Sequence, residues 1–329
     1  MAKERANIKR IGVLTSGGDA PGMNAAVRAA VKTAWHNGLE AYAIYRGYNG
    51  MIENEIHKFE PRSVSNIIQR GGTILRTARS KDFQTPEGRK KAYENLKKHG
   101  IDALVVIGGD GSFRGAQVFS SEFDIPCVGV PGTIDKDMAG TDSTIGFDTA
   151  VNTAVEAIDK IRDTMEAHER LFVVEVMGRD AGYIAINSGI STGAESILIP
   201  EKKADLLQLV NNLSDKNNKH KHVNLIVVTE GDEYGGAEGI KNYLKLTLPE
   251  ADIRMCILGH IQRGGSPTAA DRMLATRFGY HAVKCLLDGK HNVMVGVIND
   301  KMKFTPLNEA VKAKQVVSDE WLEIAETVA

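Results

Sequence analysis

Glycines and carboxylates gather in two loops between residues 108 and 137, which read GGDGSFRGAQVFSSEFDIPCVGVPGTIDKD. Asp110 stands between glycines, and Asp135 and Asp137 close the second loop. Glycines let a backbone approach a polyphosphate, and N–H groups at a helix start bind anions. A carboxylate beside phosphate repels it unless a cation lies between them. Mg²⁺ is held by one or two carboxylates plus phosphate oxygens, which suits Asp110. A second carboxylate can take the proton of an attacking hydroxyl. The pattern points to phosphoryl transfer to an alcohol, although an isolated Gly-Asp-Gly is more simply an Asx-type turn.

The elements that position these loops follow from hydrophobic pattern. Ala103–Ile107 is a continuous apolar run rich in β-branched residues, predicted as a strand buried on both faces, with a helix beginning near Ser112. Cys127–Val130 is the next strand. Loops at the carboxyl ends of parallel strands line the ligand crevice of an open α/β sheet, so Asp110, Asp135 and Asp137 are expected in one crevice. Strands and helices alternate elsewhere too. Ile11–Leu14 is a strand, TSGGDAPG a second glycine loop and Asn24–His36 a helix. Ala41–Arg46 is a strand followed by GYNG, and QRGGTILRTARS is a basic glycine loop. A helix over Thr85–Gly100 has Thr85 as cap, Pro86 in the first turn and Gly100 after its end. Apolar spacing makes Asp148–Met165 an amphipathic helix. Leu171–Val176, Ser196–Ile199, Asn224–Thr229 and Arg254–Leu258 read as strands, Ala269–Leu287 as a helix and Val293–Val297 as the last strand. Ser214–His222 reads as a solvated turn.

The 329 residues suffice for two domains of ordinary globular composition. A net charge of −1 without long single-sign runs disfavours nucleic-acid and anionic-membrane partners. A polyanionic substrate therefore needs a local Arg and Lys cluster. Cys127, Cys256 and Cys285 are few, odd in number and widely spaced, as expected for reduced thiols. The charged start MAKERANIKR has no apolar leader and no run approaches a membrane span. A cytoplasmic protein is expected.

The ordered set LTSGGDAPGMNAA, QRGGT, VVIGGDGS, PGTIDKD, TIGFDTA, VVEVMGR, TEG and LGHIQRGGSP resembles the ATP-dependent 6-phosphofructokinases of bacterial type from about Ile11 onward. The resemblance implies two doubly wound Rossmann-like α/β domains with mainly parallel sheets and an active site in the cleft between them. Residues 1–146 plus 262–312 would form the larger, ATP-binding domain, and 147–261 plus 313–329 the smaller, sugar-phosphate-binding one. It implies transfer of the γ-phosphoryl of MgATP to the 1-hydroxyl of fructose 6-phosphate, a glycolytic step. Asp135 would be the base, Thr133 and Asp137 would help hold sugar and metal, and Asp110 would bind Mg²⁺. Gly18, Arg79, Ser80, Gly109, Asp110, Gly111 and Ser112 match ATP contacts. Gly18, Arg79 and Arg179 would act on the phosphates, since cations aimed at developing charge are the main catalytic resource here. Thr133, Ile134, Asp135, Arg170, Met177, Gly178, Arg179, Glu230, Arg254, His260, Ile261, Gln262 and Arg263 match the sugar-phosphate cradle, where arginine's planar fork suits phosphate. The arginines matching Arg170 and Arg254 come from a neighbouring subunit, which implies a homotetramer.

Pyrophosphate-using relatives carry Asp where this chain has Gly111 and Lys where it has Gly132, so ATP is the expected donor. An effector site for ADP or GDP and phosphoenolpyruvate would draw on Arg28, Lys32, Arg62, Arg162, Gly193, Glu195, Lys219, Lys221 and His222. Here Pro61-Arg62 replaces the family's basic-aromatic pair, and Lys136 stands where Asn is usual. A catalytically silent nucleotide or metabolite sensor, and a kinase for another hydroxyl, remain the rival readings.

Overall fold

The apolar run expected to be fully buried is so: every residue of Ala103–Gly108 is buried. A computed structural model of the chain describes residues 8–166, 170–214, 224–312 and 315–328. In chain order its elements are β1 (Arg10–Ser16), α1 (Met23–His36), β2 (Glu40–Ile44), α2 (Gly47–Glu53), β3 (Ile56–Lys58), α3 (Pro86–Lys98), β4 (Ala103–Gly108), α4 (Asp110–Phe123), β5 (Cys127–Pro131) and α5 (Phe147–Glu166). There follow β6 (Leu171–Val176), α6 (Tyr183–Thr192), β7 (Ser196–Leu198), α7 (Leu206–Ser214), β8 (Asn224–Thr229), α8 (Gly236–Thr247), β9 (Ile253–Ile257), α9 (Ala269–Leu287), β10 (Val293–Ile298), β11 (Lys301–Pro306), α10 (Leu307–Ala310) and α11 (Asp319–Val328).

Two compact units emerge. One runs to Ile134 and takes up Met138–Thr149 and Arg263–Gln315; the other comprises Asp135–Asp137, Ala150–Gln262 and the chain from Val316. The first holds a seven-stranded sheet in the order β11-β10-β5-β4-β1-β2-β3. Its five inner strands are parallel and the edge strands β3 and β11 antiparallel. The chain winds outward from β1 through β2 and from β4 through β5. The sheet's topological switch point therefore lies between β1 and β4, where ligands of open α/β sheets bind. The second unit holds a parallel sheet in the order β7-β8-β6-β9.

Local chemistry explains the element ends. The Thr85 hydroxyl accepts the Gly88 N–H at 3.1 Å and Pro86 opens α3. Thr268 caps α9 through the Asp271 N–H at 3.3 Å. Two expectations are corrected. The helix after β4 begins at Asp110 and not near Ser112, because the extended Gly109 takes the cap position and its carbonyl accepts both Ser112 and Phe113 N–H at 3.1 Å. Val293–Val297 is not the last strand. β11 follows it through a two-residue turn of Asn299 and Asp300, both at positive φ, as a tight hairpin requires. Ser214 closes α7, whereas the rest of the expected Ser214–His222 turn lies outside the described residues.

Candidate active site

In the first unit, three glycine loops are tied together at the end of β1. Asn24 donates its amide to the Arg70 and Gly72 carbonyls at 3.0 and 2.8 Å and accepts the Ile74 N–H at 2.8 Å. Asp19 accepts the Thr73 N–H at 3.2 Å. Burial raises the Asp19 carboxyl above the usual range, against the opposing effect of that bond. The Ser266 hydroxyl donates to Gln69 O at 2.8 Å. A Cβ on Gly71 would overlap the Gly265 carbonyl, so only glycine permits this approach. Gly18 lies against Arg263: a Cβ there would be 2.8 Å from Nη1, which donates to the Asp19 carbonyl at 3.3 Å.

The β4 loop adjoins these. A Cβ on Gly108 would sit 2.6 Å from the Ser112 hydroxyl, and one on Gly17 3.3 Å from the same oxygen. A Cβ on Gly109 would be 3.7 Å from that of Thr133, so the ends of β4 and β5 meet. Asp110 opens α4, whose first N–H groups have no partner within the helix. Its carboxylate is 42% exposed and lies 3.6 Å from Arg114, a surface pair of little energetic weight. A Cβ on Gly111 would meet nothing within 4 Å. Ser80 accepts the Phe83 N–H at 3.3 Å, and Arg79 is exposed. Thr133 and Ile134 are buried, and the Thr133 carbonyl accepts the Thr144 hydroxyl at 2.7 Å.

In the second unit, the loops after β6, β8 and β9 converge. Gln262, fully buried, accepts the Met177 N–H at 2.9 Å, and Gly178 turns at positive φ. Arg179 adopts φ 52° and donates its N–H to Glu230 at 3.1 Å. A Cβ on Gly231 would overlap the Arg179 carbonyl. So held, Arg179 brings its Nε to 3.4 Å from Asp135 Oδ2; the Asp135 side chain is 2% exposed and that of Arg179 53%. Asp137 belongs to the same short segment, and Lys136 between them takes φ 54° with its ammonium 5.0 Å above the Tyr183 ring. His260 and Ile261 are exposed.

Arg170 and Arg254 are not brought to this end. Arg170 precedes β6 and Arg254 is the second residue of β9, whereas Met177–Arg179 and His260 follow those strands. Six residues of β6 separate the sets, about 20 Å at ~3.3 Å per residue. Both arginines instead hold one carboxylate that sequence reasoning missed. Asp252 receives Arg170 Nε at 2.8 Å and Arg254 Nε at 2.9 Å. Chiefly the Arg170 bond, then that of Arg254, keeps this carboxyl below its ordinary range.

Of the expected effector residues, Arg162 donates to the Thr192 and Gly193 carbonyls, and Glu195 accepts the Leu225 N–H at 2.6 Å. Arg28 and Lys32 lie one turn apart on α1, and Arg62 is exposed in a turn. Lys219, Lys221 and His222 lie outside the described residues. Among the described residues no group of three or more His, Cys, Asp or Glu could hold a metal by itself, and no helix is long and apolar enough to cross a membrane.

A phosphofructokinase family model matches residues 10–286. The ATP-dependent 6-phosphofructokinase 2 of Bacteroides thetaiotaomicron is 54% identical over 305 residues, 93% of this chain and 94% of its own. The ATP-dependent 6-phosphofructokinase of Bacillus subtilis is 51% identical over 322 residues, 98% of this chain and 100% of its own. Among solved structures, phosphofructokinase from Saccharomyces cerevisiae superposes with TM-score 0.88 and 40% identity over 92% of this chain, which spans 45% of the yeast chain. A pyrophosphate-dependent phosphofructokinase from Marinobacter aquaeolei shares the fold at TM-score 0.84 and 24% identity, covering 95% of this chain and 86% of that one.

Proposed function

We infer the reaction from the fact that this chain belongs to the phosphofructokinase family: it transfers the γ-phosphoryl of ATP to the 1-hydroxyl of fructose 6-phosphate, giving fructose 1,6-bisphosphate and ADP. The observation that carries the reading is the buried Asp135 carboxylate with the Arg179 guanidinium 3.4 Å away. Asp135 takes the proton of the attacking hydroxyl, which becomes acidic as the new P–O bond forms; such help contributes ~10²–10⁴ in rate. Arg179 is aimed at the charge that develops on the transferred phosphoryl. Its fixed backbone, through Glu230 and the glycine at 231, supports a role that depends on placement.

ATP lies along the glycine loops, with Gly18, Arg79, Ser80, Gly109, Gly111 and Ser112 against it. The open space at Gly111 supports ATP as donor, since Asp at that position would fill it and add a second negative charge. Asp110 suits Mg²⁺. A half-exposed carboxylate at a helix start suits a cation that takes its remaining ligands from phosphate and water. When bound, the cation neutralises phosphate charge. Thr133 and Asp137 hold sugar and metal.

The sugar phosphate is held by Met177, Gly178, Glu230, His260, Ile261, Gln262 and Arg263, with Arg170 and Arg254 supplied by a neighbouring subunit of a homotetramer. The length of β6 supports this division: a hexose phosphate is much shorter than the strand that separates the two sets. ADP or GDP and phosphoenolpyruvate act at a separate site using Arg28, Lys32, Arg62, Arg162, Gly193, Glu195, Lys219, Lys221 and His222, and the enzyme works in the cytoplasm. The test is ADP release coupled to a spectrophotometric readout, with fructose 6-phosphate, ATP and Mg²⁺. Turnover that needs all three supports the reading. A folded protein that binds nucleotide without turnover refutes it in favour of a sensor, and turnover with another alcohol alone refutes the substrate.

A further inference from the structure

We propose that Asp252 is a positioning residue: it sets Arg170 and Arg254 as one paired receptor for the phosphate group of the sugar substrate. This rests on the phosphofructokinase reading and deepens it.

The sheet makes the pairing possible. Strands β6 and β9 are parallel with Leu171 opposite Ile253, and the Leu171 N–H donates to the Asp252 carbonyl at 3.2 Å. Arg170 and Asp252, each one residue earlier, are therefore neighbours across the ladder. Arg254 follows Asp252 by two, so its side chain leaves the same face. One carboxylate then spans both forks, with Oδ2 at 2.8 Å from Arg170 Nε and Oδ1 at 2.9 Å from Arg254 Nε. Arg254 Nη2 also approaches Oδ2 at 3.4 Å.

Two features argue that this is more than charge neutralisation. First, Asp252 engages both guanidinium groups by the Nε edge. Each fork has five N–H donors, so its terminal nitrogens suit a second anion, and at Arg170, only 26% exposed, part of the side-chain freedom that anion would have to remove is already gone. Secondly, Lys241 and Lys245 of α8 line a cavity of about 490 Å³ together with Asp252 and Arg254. Three cations and one carboxylate on the same cavity wall leave an excess of positive charge that a phosphate dianion would balance.

The experiment compares Asp252→Ala, Asp252→Asn and Asp252→Glu with wild type, measuring KM for fructose 6-phosphate, KM for ATP, kcat and Tm. Loss of the carboxylate lets two like-charged forks separate. We expect Asp252→Ala and Asp252→Asn to raise the sugar-phosphate KM about tenfold, with kcat and the ATP KM within about twofold, and Asp252→Glu to restore most of the loss. An unchanged sugar-phosphate KM in Asp252→Ala overturns the proposal. So does a lowered one, which would make Asp252 a competitor of the substrate, and so does a parallel rise in both KM values with a fall in Tm, which would mark a general structural role. Absence of wild-type turnover is a failure of the functional reading and not of the clamp. In that event calorimetric titration with inorganic phosphate decides: weaker binding to Asp252→Ala supports the clamp, and equal binding refutes it.

Discussion

Replacement of Gly18 by Ala separates function from stability. The new Cβ would stand 2.8 Å from Arg263 Nη1, and its next contacts within 4 Å, at 3.4 and 3.8 Å, are atoms of the same guanidinium. Ordinary carbon–nitrogen contact lies at about 3.4–3.5 Å, so the fork must retreat by roughly 0.6 Å. That movement breaks the 3.3 Å bond from Nη1 to the Asp19 carbonyl, the contact that aims Arg263. A misplacement of about 1 Å can cost ~10² in rate. We expect kcat/KM for the sugar phosphate to fall about tenfold to hundredfold, equivalent to about 1.4–2.7 kcal/mol of transition-state stabilisation. The obstruction is a flexible side-chain end and not backbone, and Gly→Ala restricts the unfolded chain by about 0.4–1 kcal/mol. Tm should therefore stay level or rise. Gly71→Ala is the contrasting control. Its Cβ would overlap the Gly265 carbonyl, forcing two backbones apart, and should lower Tm by about 2–4 °C for each kcal/mol lost. Steady-state kinetics and thermal melts on both variants decide. A Gly18→Ala enzyme with wild-type kcat/KM would refute the claim that Arg263 placement limits the reaction.

Asp135→Ser should lower kcat by ~10²–10⁴ with the sugar-phosphate dissociation constant little changed; equal loss of binding would make Asp135 structural. Arg254→Ser should chiefly raise KM for the sugar phosphate, and an unchanged KM would remove it from the cradle. Burial pushes the Cys127 thiol up to about 12 and the Cys285 thiol up to about 11. Titration with a disulfide reagent at pH 8 should thus modify half-buried Cys256 first and the other two only after denaturation. The Asp252 carboxyl is depressed by its arginines below the ordinary 3.8. Its contribution is therefore present above that value and lost as pH falls through the lower folded one. The sugar-phosphate KM should show no step from Asp252 between about pH 5 and 8, and a step in wild type that vanishes in Asp252→Asn would contradict this.

The inner strands and long helices were legible because their signals are local. Ala103–Ile107 is apolar throughout and ends in three β-branched residues, Asp148–Met165 repeats at helical spacing, and Thr85-Pro86 writes its own helix start. β11 escaped because Lys301 and Lys303 alternate with Met302 and Phe304 over only a few residues, yet Asn299-Asp300 between two such runs was a usable hairpin signal. The residues expected to carry chemistry stood in recognisable motifs. What was not legible is what holds them. Asn24 reaches residues 70 to 74, and Gln262 reaches Met177, across spans that no periodicity reports. Asp252 looked like any polar residue before a strand until the register of β6 and β9 set it beside Arg170.

The backbone around Asp135 also accounts for why this site resists simple reading. Ten described non-glycine residues have positive φ. Six are Asn or Asp, whose short polar side chains tolerate that region. Lys136 and Arg179 have no such excuse, and left-handed backbone at a non-glycine residue costs of order 1–3 kcal/mol and persists only where the surroundings over-determine it. At Arg179 they do: Glu230 accepts its N–H at 3.1 Å, and the bare Cα of Gly231 lets its carbonyl close in. At Lys136 the Tyr183 ring takes the ammonium 5.0 Å from its centroid, a contact of ~0.5–1 kcal/mol at a partly exposed site. Two strained residues, each held by a partner distant in sequence, thus fix the loops that bear the two charges of the ion pair. Arg179 is only half-covered and could not be held there by its ion pair alone. The placement on which phosphoryl transfer depends is a property of the backbone, set before the side chains meet.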